Sequence, residues 1–261
     1  MSYFYYEDKK VYYKESGKGT PLLLLHGNTA SSVMFYEIEK LFRKKYNVIC
    51  IDFLGHGKSE RLDIFPADLW FYEAQQVIAF LKEKQYGKVD IIGTSGGALV
   101  AINVALEAGE YVNKVIADSF EGERCIDAFT KNITQDRYLS KQDKDAVQFY
   151  QYMHGEDWEG IVDKDTAAIA EHALNIQNFF HKPLSNLQAD ILLVGSREDE
   201  FVCSLGSDYF DRVYREMLDK IQHGNMHLFE HGRHPAMLSN AQQFYEMSIA
   251  FLKGTDETSN L

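Results

Sequence analysis

Short apolar runs recur along the chain, and each ends in a turn rich in glycine or carrying an acid. Residues 22–25 run into His26-Gly27, 48–51 into Asp52-Phe53-Leu54-Gly55-His56-Gly57, and 89–92 into Gly93-Thr94-Ser95-Gly96-Gly97. Later, 115–117 runs into Asp118-Ser119, 191–194 into Gly195-Ser196, and 226–229 precedes His231-Gly232. Apolar runs without polar alternation suit strands buried on both faces, which a parallel sheet covered by helices requires. Helical spacing fills the gaps at 74–81, 98–106, 209–221 and 244–252. The expected class is therefore α/β, with a mostly parallel central sheet and helices on both faces. Residues 3–6 and 11–14 flank Glu7-Asp8-Lys9 and predict an aromatic-rich hairpin at the sheet edge.

The alternation lapses between 120 and 183. That stretch is polar, carries aromatics such as Phe129, Tyr138, Phe149, Tyr150 and Trp158 at amphipathic spacing, and has no buried-strand run. It predicts a helical insertion over 119–185, set into a single core made of 1–118 and 186–261. No repeat or linker-like tract appears, and the tail from 254 to 261 is expected to fray.

Charge narrows the partners. The chain has 27 Lys+Arg against 39 Asp+Glu, a net of −12, and no basic patch, which excludes nucleic acid and anionic membrane surfaces as expected partners. Within 119–185 there are 12 acids and 7 bases, a net of 7 − 12 = −5, so strongly anionic substrates are disfavoured at that face. The apolar runs fall far short of the roughly 20 residues that span a bilayer. The first residues are aromatic and charged and do not read as a secretory signal. Cys50, Cys125 and Cys203 are odd in number and lack a CxxC pattern; they read as reduced thiols of a cytoplasmic protein, with neither a disulfide frame nor a zinc site.

Gly93-Thr94-Ser95-Gly96-Gly97 is a G-x-S-x-G between an apolar run and the small-residue helix start at 98–101. A serine on so tight a strand-to-helix turn is held in a strained conformation, its neighbours must lack a Cβ, and its hydroxyl projects from the sheet edge, as a nucleophile requires. His26-Gly27-Asn28 follows another run. A glycine-bearing loop there lets backbone N–H groups point at a developing oxyanion, and the expected pair of donors is the N–H of Asn28 and of Gly96. The His26 side chain reads as a structural brace of the loop.

His26-Gly27, Asp52-x-x-Gly55-His56-Gly57-x-Ser59, Gly93-x-Ser95-x-Gly97 and a late Gly232-x-His234-Pro235, in that order, resemble the α/β-hydrolase fold superfamily in its serine-nucleophile branch with a helical cap. The resemblance covers roughly 21–252. It implies an α/β-hydrolase fold and the order serine, acid, histidine, with Ser95 as nucleophile and His234 as base. Asp199, in Glu198-Asp199-Glu200 after the 191–194 run, best matches the position of the acid. Glu198 is one residue off register, and Asp118 is the other place where some hydrolases keep it. Asp52, His56 and Ser59 are expected to shape a loop. His227, His231 and His234 lack the helical context of a metal site, and no metal or cofactor is expected. Arg124 and Arg137 read as solvated, with a substrate carboxylate as the sharper alternative.

The parts imply cofactor-free hydrolysis of small to medium carboxylic esters through an acyl-enzyme, acting on a small molecule with an apolar acyl or alcohol part, by a monomer or homodimer. The same triad serves C–C bond (β-ketolase) hydrolases, lactonases, thioesterases, aminopeptidases and perhydrolases, and the fold does not choose among them. A lyase or synthase, or a ligand receptor without catalysis on this fold, is the more distant alternative.

Overall fold

In the computed structural model, residues 2–254 are described, with the side chains of Phe129 and Cys203 excepted. The tail expected to fray lies outside the described residues beyond Gly254, and so do the expected roles of those two side chains.

Eight strands among the described residues form one sheet in the order β1-β2-β4-β3-β5-β6-β7-β8. The strands are β1 (Ser2–Tyr6), β2 (Lys9–Gly17), β3 (Thr20–Leu25), β4 (Tyr46–Ile51), β5 (Val89–Thr94), β6 (Val112–Asp118), β7 (Asp190–Ser196) and β8 (Gly224–Phe229). β1 and β2 are the expected edge hairpin and run antiparallel; from β4 to β8 every neighbouring pair is parallel.

Side-chain alternation sorts each run between two cores. Leu23, Leu25, Ile49, Ile51, Ile91, Val115 and Leu193 face α2 (Leu69–Lys84) and α3 (Gly96–Glu107), while Leu22, Leu24, Val48, Ile92, Ile116 and Leu192 face α1 (Tyr36–Phe42) and α10 (Ala241–Lys253). All four leucines of β3 are fully buried, so each contributes about 1.5–3 kcal/mol of burial. A run apolar at every position is thus two half-cores written in one strand.

The insertion consists of α4 (Asp127–Thr130), α5 (Ile133–Ser140), α6 (Lys144–His154) and α7 (Trp158–Asn175), between β6 and β7. Tyr150, Trp158 and Val162 make a small core of its own, with the first two rings stacked 5.5 Å apart. Ile161, Ala168 and Ile169 of α7 join the main core, so the insertion is anchored to the sheet domain. An antiparallel bridge between Arg124 and Asn178 ties its two ends together. α8 (Tyr209–Leu218) and α9 (Ala236–Ser239) complete the fold. No described helix is long and apolar enough to cross a membrane.

The chain runs from β3 to β4 on one side and returns to β5 on the other, so the loops after β3 and β5 diverge from adjacent strand ends. Such a switch point opens a crevice at the carboxyl ends of the strands. Pairing of Leu25 with Gly93, Thr94 with Asp118, Asp118 with Val194 and Ser196 with Phe229 sets the strand ends in one row.

Candidate active site

Ser95 occupies the turn between β5 and α3 at φ 55° and ψ −128°, a backbone region that non-glycine residues rarely adopt. Its N–H donates to the Asp118 carbonyl at 2.7 Å, which holds the turn against β6. A Cβ on Gly93 would strike the Gly97 carbonyl, and one on Gly97 would strike the carbonyls of Leu25 and His26. The close approach of β3, β5 and α3 therefore requires glycine at both positions.

Ser95, His234 and Asp199 are brought together. Asp199, 1% exposed, stands on the loop after β7, where its Oδ1 accepts the Phe201 N–H at 3.0 Å. Its Oδ2 lies 2.7 Å from His234 Nδ1. A proton on Nδ1 donates to that carboxylate and leaves Nε2, 3.0 Å from Ser95 Oγ, to accept the hydroxyl proton. The loop after β7 also holds His234 through the His234 N–H, which donates to Glu200 Oε2 at 2.9 Å, and the Phe201 ring stands edge-on to the imidazole. Burial disfavours the imidazolium, yet the Asp199 hydrogen bond and charge, with Asp118 and Glu200 behind, raise the His234 pKa above the ordinary histidine value.

The alternative acids point elsewhere. Glu198 is exposed and engages His231 Nδ1 at 3.0 Å and the Gly232 N–H at 3.3 Å. Asp118 accepts Thr94 Oγ1 at 2.7 Å, Ser119 Oγ at 3.0 Å and the Met237 N–H at 3.0 Å, so it fastens the loop after β8 to the sheet; burial pushes its pKa up to about 6. His227 packs on Phe229, and no group of three His, Cys, Asp or Glu side chains able to hold a metal ion occurs among the described residues.

Gly27, Asn28, Ser95 and Gly96 form one wall of a cavity of about 300 Å³ whose remaining lining is mainly apolar, with Trp70, Phe120, Phe149 and Leu238 prominent. The Asn28 and Gly96 N–H groups donate to no other group among the described residues. Gly96 opens α3, where the first N–H groups have no intrahelical acceptor and carry the positive end of the helix dipole.

The loops beside this wall are built from buried polar groups. His26 Nδ1–H donates to the Gly27 carbonyl at 2.9 Å, its Nε2 accepts the Phe53 N–H at 3.2 Å, and burial drives its pKa down to about 3, so it braces the loop as a neutral ring. Asp52 accepts the Ser32 and Lys58 N–H groups, both at 2.7 Å, and Ser59 Oγ accepts the Tyr12 N–H at 2.8 Å. His56 Nε2 meets Asp165 Oδ2 at 3.2 Å. These are the loop-shaping roles expected of Asp52, His56 and Ser59.

Three residues depart from the sequence reading. Arg137, read as solvated, lines the cavity, donates from Nη1 to Tyr150 Oη at 3.1 Å, and buries its Nε without a hydrogen-bond partner. Arg124 is exposed and donates to Gln177, as a surface arginine does. Glu121, which sequence reasoning passed over, also lines the cavity; burial lifts its pKa to about 7, opposed in part by His234. Asp165 was missed as well, although it carried a signal. It sits four residues from both Ile161 and Ile169, on the buried stripe of α7, where a charge needs a partner.

The sequence profile of the alpha/beta hydrolase family matches residues 22–247. The chain is 23% identical over 261 residues to the human serine hydrolase BPHL, covering 94% of this chain and 83% of that one. It is 32% identical over 109 residues to 2-hydroxy-6-oxo-6-(2'-aminophenyl)hexa-2,4-dienoic acid hydrolase of Metapseudomonas resinovorans, covering 40% of this chain and 37% of the relative. A solved structure of a serine hydrolase involved in carbazole degradation (CarC) superposes with a TM-score of 0.74 at 22% identity, covering 97% of this chain and 98% of that one. With the profile spanning most of the chain, and the strand order and strand-turn-helix of such enzymes in place, the chain belongs to the alpha/beta hydrolase family and is a hydrolase.

Proposed function

We propose that the protein hydrolyses carboxylic esters with small to medium acyl groups through a serine acyl-enzyme. The observation that carries this reading is the hydrogen-bonded line Asp199–His234–Ser95, at 2.7 and 3.0 Å, ending on the floor of a largely apolar cavity. Ser95 Oγ attacks the ester carbonyl as His234 Nε2 takes its proton, and Asp199 holds the ring and stabilises the imidazolium. The oxyanion is received by the Asn28 and Gly96 N–H groups. His234 then protonates the leaving alcohol, and a water it activates releases the acid. The core is 1–118 with 186–261, and the 119–185 insertion is its cap, closing the cavity over Ser95.

A fluorophosphonate probe should label Ser95 in the wild-type protein and leave Ser95→Ala unlabelled. Turnover should rank p-nitrophenyl esters above lactones, thioesters and aminoacyl amides assayed in parallel. Absence of labelling would sink the reading.

Arg137 favours one second reading, a C–C bond hydrolase acting on a vinylogous diketone acid. Its side chain lines the cavity, a place for a guanidinium to pair with a substrate carboxylate, and one relative is named for an acid of this kind. If that reading holds, such a diketone acid outruns the esters in the same panel, and Arg137→Gln raises its KM with little effect on neutral esters.

A further inference from the structure

The loop that presents the Asn28 N–H is held from the insertion and not only from its own strand. Asp165 of α7, fully buried, places Oδ2 within hydrogen-bond distance of three groups: Asn28 Nδ2 at 3.2 Å, the Thr29 N–H at 3.1 Å and His56 Nε2 at 3.2 Å. From the opposite side, Trp70 Nε1–H donates to Asn28 Oδ1 at 3.1 Å. The next residue, Thr29, has φ 54°, a strained conformation for a β-branched side chain. Its carbonyl accepts His154 Nε2–H from α6 at 3.0 Å, while Gly57 N–H satisfies the other ring nitrogen of His154. Ser31 Oγ donates to the Met153 carbonyl of the same helix at 2.8 Å. Backbone strain of this kind persists only where the surroundings over-determine it. Here those surroundings come largely from α6 and α7.

Resting on the serine-esterase reading, we infer that Asp165 is a positioning residue for the oxyanion site, fixing the Asn28 N–H by clamping the Asn28 side chain and the strained Thr29 backbone. Without the carboxylate, Thr29 relaxes toward negative φ and turns the peptide that carries the Asn28 N–H away from Ser95. A donor that moves off the oxyanion weakens the transition state and leaves ground-state binding in the apolar cavity untouched, so the loss falls on kcat. Full removal of one such donor costs about 10²–10³ in kcat, and a displaced one costs less. The Asp165 Oδ1 has no hydrogen-bond partner, so an asparagine can set its amide oxygen where Oδ2 stands.

The test measures kcat and KM on p-nitrophenyl butyrate, the affinity of a trifluoromethyl ketone that forms an oxyanion on Ser95, and thermal unfolding, for wild type, Asp165→Ala, Asp165→Asn and Asn28→Ala. Expected are a loss of about 10–100-fold in kcat for Asp165→Ala with KM little changed, a parallel loss of ketone affinity, and recovery of most activity in Asp165→Asn. Asn28→Ala keeps the backbone donor and removes only the clamped side chain. It should show the same loss confined to kcat, and it decides the matter if Asp165→Ala does not fold. A folded Asp165→Ala, or in its absence Asn28→Ala, with wild-type kcat overturns the inference, as does a loss carried by KM alone. A wild-type protein inert to both ester and fluorophosphonate overturns the esterase reading, and the inference with it. Wild-type activity alongside an equally active Asp165→Ala overturns the inference alone.

Discussion

His234 is held between two opposing forces, burial that favours the neutral ring and the Asp199 carboxylate that favours the charged one, and the carboxylate wins. On the proposed mechanism Nε2 has to be free to accept the serine proton, so kcat/KM should rise with pH through a His234 pKa that lies above the ordinary value of about 6.5. Asp199→Asn removes the anchor. It should lower kcat by about 10⁴ and shift the acid limb of the pH profile to lower pH. Glu198→Gln should leave turnover at the wild-type level, since Glu198 engages His231 and Gly232 instead; a collapse there would move the acid by one residue. Ser95, His234 and Asp199 were legible because each stands in a local sequence context. Glu121 was not, and Arg137 could not be told from Arg124, since what makes the two notable is the cavity they line, and that depends on how the insertion folds back.

Gly97 shows how tightly elements constrain one another. Gly97→Ala drives a methyl into the carbonyls of Leu25 and His26, which β3 pairing cannot release, and should cost about 3 kcal/mol, read as a lower urea midpoint. The strands could be read from sequence to within a few residues, as most are short apolar runs bounded by glycine or acid turns. α1 could not: it has seven residues and buries only Ile38 and Phe42 among its apolar side chains, too few for a periodic signal. The start of α2 at Leu69 was also missed, five residues ahead of the periodic stretch, because Trp70 there packs edge-on against His172 and Phe179, contacts that reach across a hundred positions.

At the scale of the molecule, the net charge of −12 surrounds a cavity whose walls are mostly apolar. The field should steer substrates without deciding chemistry. For a choline ester, kcat/KM should fall as ionic strength rises past about 0.1 M, where the screening length shrinks to about 10 Å, while an uncharged ester of equal size stays flat. The contacts of Thr29 and Ser31 with His154, Met153 and Asp165 carry a further consequence for recombination. A chimera that receives a foreign segment 119–185 inherits new cavity walls but loses the partners of its own loop 28–31. The two stretches lie about a hundred residues apart in sequence, yet they constitute one heritable unit, and a transplant of specificity succeeds only when both cross over together.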